Sequence, residues 1–120
     1  MHWQIDDSKP IHTQIVDELI GRILNGTYKF GERIPSVRDL ALEAKVNPNT
    51  MQKALTELED KNFITTKRTS GKYVTAPKNL IKKTKQKLSD ELIHRFVEEM
   101  KKLDYETDEI ITKIRKEIEK

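Results

Sequence analysis

From Asn47 to Lys53, five side chains in seven positions carry amide, hydroxyl or ammonium donors: Asn47, Asn49, Thr50, Gln52 and Lys53. Amides and hydroxyls can bond both phosphate oxygens and base edges, and a lysine adds charge without base information. The same segment runs on to Glu57, Glu59 and Asp60, which phosphates repel. Only its beginning therefore suits a polyanion, and if it is a helix, the positive end of its dipole lies there too. Further on, Lys67, Arg68 and Lys72 flank Gly71, where a missing side chain permits close backbone approach. Arg38 lies upstream and can hold a phosphate or reach a base edge. Each feature has a plainer counterpart: a solvated helix face, a surface ion pair at Arg38, or charges that keep an edge strand from aggregating.

The elements that must position these groups follow from periodicity. Ile11, Ile15, Leu19 and Ile23 recur every four residues after Ser8-Lys9-Pro10 and stop at Asn25-Gly26, which predicts an amphipathic helix with a glycine cap. Residues 27–35 read as a connector with room for a short strand. Ser36 to Asp39 reads as a capping box, with Asp39 reaching back, before a short helix on Val37, Leu40, Ala41 and Ala44. After the break Lys45-Val46-Asn47, Pro48 opens a third helix capped by Asn47, with Met51, Ala54, Leu55 and Leu58 on its apolar face. Two short helices with a tight turn form a helix-turn-helix. Phe63 to Arg68 and Lys72 to Thr75 then make a β-hairpin with a basic tip.

Beyond Ala76-Pro77 the composition changes, and residues 78–120 contain neither glycine nor proline. Leu88, Leu92, Phe96 and Met100 follow a spacing of four; Asp104 to Thr107 breaks the pattern; Ile110, Ile111, Ile114 and Ile118 resume it. The reading is a two-helix hairpin whose stripe either folds back or pairs with a second copy. So short a piece is marginal alone, and dimerisation covers it while supplying two-fold symmetry. Leu88, Leu92, Phe96, Met100, Ile111, Ile114 and Ile118 are the expected interface. The basic run Lys78, Lys82, Lys83, Lys85 and Lys87 serves either as extra phosphate contacts or as a solvated face.

Composition removes several classes of function. The 120 residues include no cysteine, so disulfides, thiol catalysis and cysteine metal sites are out, and a reducing cytoplasm is the expected compartment. His2, His12 and His94 are scattered without metal-ligand spacing, and no phosphate loop, nucleophile elbow or zinc-helix pair occurs. Neither an enzyme nor a metal or cofactor is expected. No apolar run is long enough to cross a bilayer, and the start lacks a secretory pattern. The net charge of +3 is too small to argue for nucleic acid by itself; placement of the charges carries that argument. The expected fold is α+β and mostly α: a winged helix-turn-helix over residues 1–77 and a helical dimerisation tail over 78–120.

These residues resemble the GntR family of bacterial regulators. The matching pieces are Pro10 to Ile15, Gly31 to Ala41, Val46 to Leu55 and the wing Thr69 to Val74. The short tail resembles the YtrA-type branch, in which two dimerising helices replace a large ligand-binding domain. The resemblance implies DNA-binding roles for Arg38, Asn49, Thr50 and Gly71, and a tendency to repress transporter operons; pairing through the tails predicts a homodimer on an inverted-repeat operator. Pro48 and Gln52 stand where some members carry arginine, and Lys53 lacks the arginine fork, so base preference does not transfer from other branches. The alternative is a winged-helix adaptor that docks proteins and not DNA. The sequence identifies neither the operator, nor the regulated genes, nor an effector ligand.

Overall fold

The computed structural model describes residues 3–120 and divides them into two compact units, the first ending at Ile81 and the second being Lys82–Lys120. In chain order the elements are α1 (Ile11–Leu24), α2 (Val37–Ala44), α3 (Pro48–Asp60), β1 (Ile64–Lys67), β2 (Gly71–Val74), α4 (Lys78–Lys102) and α5 (Thr107–Ile118).

α1 forms because its apolar residues return to one face: Ile15, Val16, Leu19, Ile20 and Ile23 are all buried. Pro10 sits just before the helix and no side chain caps its first turn. Instead Gln14 ties down the approach, since its amide donates to the Asp6 carbonyl at 2.7 Å while its oxygen accepts from the Asp6 amide at 2.8 Å. Gly26, at φ +83°, lets the chain leave as expected.

α2 begins with Ser36, whose hydroxyl accepts from the Asp39 amide at 3.1 Å. The reverse bond expected from Asp39 is not among those formed, so the box is half complete; the shorter aspartate does not span what a glutamate would. At the other end Lys45 takes a left-handed conformation, φ 58°, and the Val46 amide returns to the Ala41 carbonyl at 3.0 Å. This tight closure turns the chain without a glycine, at a backbone cost of roughly 1 kcal/mol. Asn47 then caps α3 through its side-chain oxygen, which accepts from the Asn49 amide at 2.7 Å, with Pro48 in the first turn.

The core of this unit lies where α1, α2 and α3 meet. Leu40, Met51, Ala54, Leu55 and Leu58 are fully buried against Ile15 and Leu19. β1 and β2 pair antiparallel in the register Ile64 with Val74 and Lys67 with Gly71, and Ile64 and Val74 close the core from below. The connector contributes more than a loop. The Ile34 amide donates to the Lys72 carbonyl and the Val74 amide to the Glu32 carbonyl, each at 2.9 Å, so Glu32 to Ile34 lies alongside β2 with Arg33 opposite Tyr73. Leu80 and Ile81, in the first turn of α4, also pack on this core, which is why the unit extends to Ile81.

In the second unit the break between helices falls where the polar residues placed it. Asp104 turns with φ 64°, and Glu106 and Glu109 form a reciprocal capping box that starts α5. α4 buries none of its residues and α5 buries only Ile110. Leu92 is 61% exposed, Ile111 45% and Ile118 77%. Among the described residues no helix is long and apolar enough to cross a membrane.

Candidate nucleic-acid interface

α3 faces the core with Met51, Ala54, Leu55 and Leu58, which turns the intervening positions outward. Asn49, Gln52 and Lys53 are exposed, Thr50 is half-buried, and Arg38 is exposed in the first turn of α2. Asn47 is exposed as well, but its oxygen is committed to the cap, which leaves its amide donors free. The Gln52 amide donates to the Thr56 hydroxyl at 3.2 Å, a weak bond that holds the side chain along the helix. The beginning of α3 is thus an open, donor-rich surface.

Its far end is occupied elsewhere. Glu57 lies 3.6 Å from His12 of α1 and 3.1 Å from Lys61. Glu59 accepts a hydrogen bond from the Thr66 hydroxyl, and Lys72 in turn donates to Thr66 at 2.8 Å. A chain of polar contacts thereby fastens the wing to the last turn of α3. In the sequence the only trace of this link is the alternation that puts Thr66 and Lys72 on one face of the hairpin.

On the wing, Lys67 places its ammonium 4.4 Å from the centre of the Tyr73 ring, a cation–π contact that orients the charge without neutralising it. Arg68 is exposed in the turn, and Gly71 has φ +109°, a conformation suited to glycine. Among the described residues the ion-paired bases of this unit are Lys9, His12, Arg22 and Lys61. Arg38, Lys53, Lys67, Arg68 and Lys72 have no carboxylate partner. Among the described residues the neutralised cations lie away from the beginning of α3 and the wing; on these two elements Lys72 is tied to Thr66, and Lys53, Lys67 and Arg68 are left available.

A further polar cluster was not anticipated. Arg22 of α1 is only 2% exposed, yet it bonds Glu18 at 3.0 Å and Tyr28 at 2.7 Å and pairs with Glu43 of α2 at 3.0 Å. Its guanidinium stacks 4.4 Å from the Trp3 ring centre, and the Trp3 indole donates to Glu43 at 3.0 Å. Burial alone would lower the Arg22 pKa, but the bonds from Tyr28, Glu18 and Glu43 outweigh it, and the pKa is raised. Of these partners only the Glu18–Arg22 spacing is a local signal. No group of His, Asp and Glu among the described residues could hold a metal ion. His94 lies exposed on α4, and His2 is outside the described residues.

A three-helix unit with a tight turn between α2 and α3 and an adjoining basic hairpin defines a winged helix-turn-helix DNA-binding protein. The profile described as "Bacterial regulatory proteins, gntR family" matches residues 11–74, and the chain belongs to that family. An HTH-type transcriptional regulator of Bacillus subtilis, YhcF, is 34% identical over 115 residues, covering 96% of this chain and 95% of its own. The HTH-type transcriptional repressor YtrA of the same organism is 43% identical over 74 residues, covering 60% of this chain and 57% of its own. A GntR family transcriptional regulator from Listeria monocytogenes superposes with a TM-score of 0.83 at 41% identity, covering 93% of this chain and 98% of that structure. The chain is therefore a DNA-binding transcription regulator and not an enzyme.

Proposed function

We propose that this regulator acts in the cytoplasm as a homodimeric repressor of an inverted-repeat operator. Residues 1–77 bind the DNA and residues 78–120 pair the two copies. Each copy sets the beginning of α3 into a major groove, where Asn49, Thr50 and Gln52 read base edges and the Asn47 amide supports them. Arg38 and Lys53 hold phosphates beside the groove, and Lys67, Arg68 and Lys72 do so from the wing, with Gly71 allowing the backbone to come close. Repression follows from occupancy that excludes polymerase, and the similarity to the transcriptional repressor YtrA supports it. An operon for a membrane transporter is the target that the YtrA-type resemblance implies.

The observation that carries this reading is the segregation of charge. Among the described residues the cations at the beginning of α3 and on the wing have no carboxylate partner, while Glu57 and Glu59 of α3 are turned toward α1 and the wing. The pairing of copies is supported by the stripe Leu88, Leu92, Phe96, Ile111, Ile114 and Ile118, all of it exposed on α4 and α5, with Met100 half-buried beside it. A surface of this kind is a liability unless it is covered.

Selection of bound fragments from a random duplex pool tests the function directly. Enrichment of an inverted repeat with half-sites about one helical turn apart, or a multiple of that, supports it. Failure to retain any duplex at low salt, with capture of proteins instead, would favour the docking adaptor.

A further inference from the structure

Arg33 belongs to none of the groups assigned so far. It lies in the segment that runs beside β2, and its opposite number there is Tyr73. Residues directly opposite in an antiparallel ladder point to the same face, and the alternation carries that face to Gly71 and, across the hairpin, to Thr65 and Lys67. The other face holds Ile34, Ile64 and Val74, which are buried in the core. Arg33 therefore stands on the solvent side of the wing and is exposed.

Its guanidinium is seated against Gly71. A Cβ built on that glycine would lie 2.7 Å from the Arg33 Nε, closer than side-chain carbons come to such an atom, and a tight 3.3 Å from its Cζ. The glycine thus serves two purposes at once: it adopts φ +109°, and it leaves the space that the guanidinium fills. Among the described residues Arg33 has no carboxylate within pairing distance, and its side chain makes no hydrogen bond. A planar group with five donors is held beside the wing tip with its donors unused. On the same face Lys67 is steered by the Tyr73 ring.

Resting on the DNA-binding reading above, we propose that Arg33 is a phosphate-binding residue of the wing, gripping the DNA backbone together with Lys67, and that Gly71 acts by seating it. The ligand is a phosphodiester and not a base. An arginine fork suits two phosphate oxygens, which a lysine ammonium cannot match. Removing it weakens operator and unrelated duplex by the same factor.

The test measures binding of a labelled operator duplex and an unrelated duplex across a salt series, for the full chain and for Arg33→Ala and Arg33→Lys. For Arg33→Ala the expected result is about a tenfold loss on both duplexes and a log–log salt slope reduced by about 0.9. Arg33→Lys restores the slope but only part of the affinity. Thermal melting of each variant separates these losses from unfolding, and Arg33→Lys keeps the charge if the alanine form is unstable. A wild-type chain that binds DNA with a slope untouched by Arg33→Ala overturns this assignment alone. A changed sequence preference with unchanged slope also overturns it, because it would make Arg33 a base reader. A wild-type chain that binds no duplex overturns the DNA reading as well.

Discussion

Arg22 Nη1 and Glu43 Oε1 lie 3.0 Å apart, joining α1 to α2 through a guanidinium that is 2% exposed. Glu43 also accepts from the Trp3 indole, so one carboxylate holds both α1 and the segment that precedes it against α2. The carboxylates keep access to water, with Glu18 33% and Glu43 39% exposed.

Arg22→Met is therefore expected to destabilise the first unit by about 3 kcal/mol, the low end for losing one partner of a buried pair, since the partners left behind remain partly hydrated. Urea unfolding followed by Trp3 fluorescence measures it. A midpoint unchanged from wild type would show that the cluster is ornamental to stability.

Ser36→Ala should cost about 1 kcal/mol, because it removes the only side-chain cap on the short α2 and no reciprocal bond from Asp39 compensates. Denaturant midpoints of the two proteins decide this. The loss should be general, leaving sequence preference for DNA unaltered.

On DNA, Lys53→Ala and Gln52→Ala should differ in kind. The lysine change is expected to weaken every duplex alike and lower the salt slope by about 0.9. The glutamine change should cost about 1–3 kcal/mol at one base position and leave the slope alone. Parallel titrations on operator variants distinguish the two patterns, and a swap between them refutes the assigned roles.

Phe96→Asp places a charge in the exposed stripe of α4, where Phe96 is 40% exposed. Sedimentation should then show monomers at micromolar concentration, while the melting of the first unit stays near that of wild type. Operator affinity should fall toward that of a single half-site. A dimer that survives this substitution would place the interface elsewhere.

What the sequence revealed was what short-range rules govern. Asn47 and Pro48 announce the start of α3 because a cap and a first-turn proline act within three residues, and the turn at Asp104 was visible as a loss of apolar spacing. The closure at Lys45 was legible only as a break, since lysine gives no hint of the left-handed conformation that a glycine advertises. The Arg22 cluster stayed hidden because Trp3, Tyr28 and Glu43 meet only after folding. The same holds for Arg33: its neighbour Gly71 is far along the chain, and only the pairing of Glu32 to Ile34 with β2 brings them together. Donor types at the candidate interface could be read from residue identity, but which cations were left unpaired could not.

The contact from Glu59 through Thr66 to Lys72 has a consequence for the nucleic acid rather than for the protein. If DNA is held as proposed, the latch of the hairpin to the end of α3 limits how far the groove-reading helix and the phosphate-holding wing can spread. A duplex whose grooves do not match that spread would then have to bend or twist to be held, and steps that flex easily, pyrimidine followed by purine, would be favoured at positions no side chain reaches.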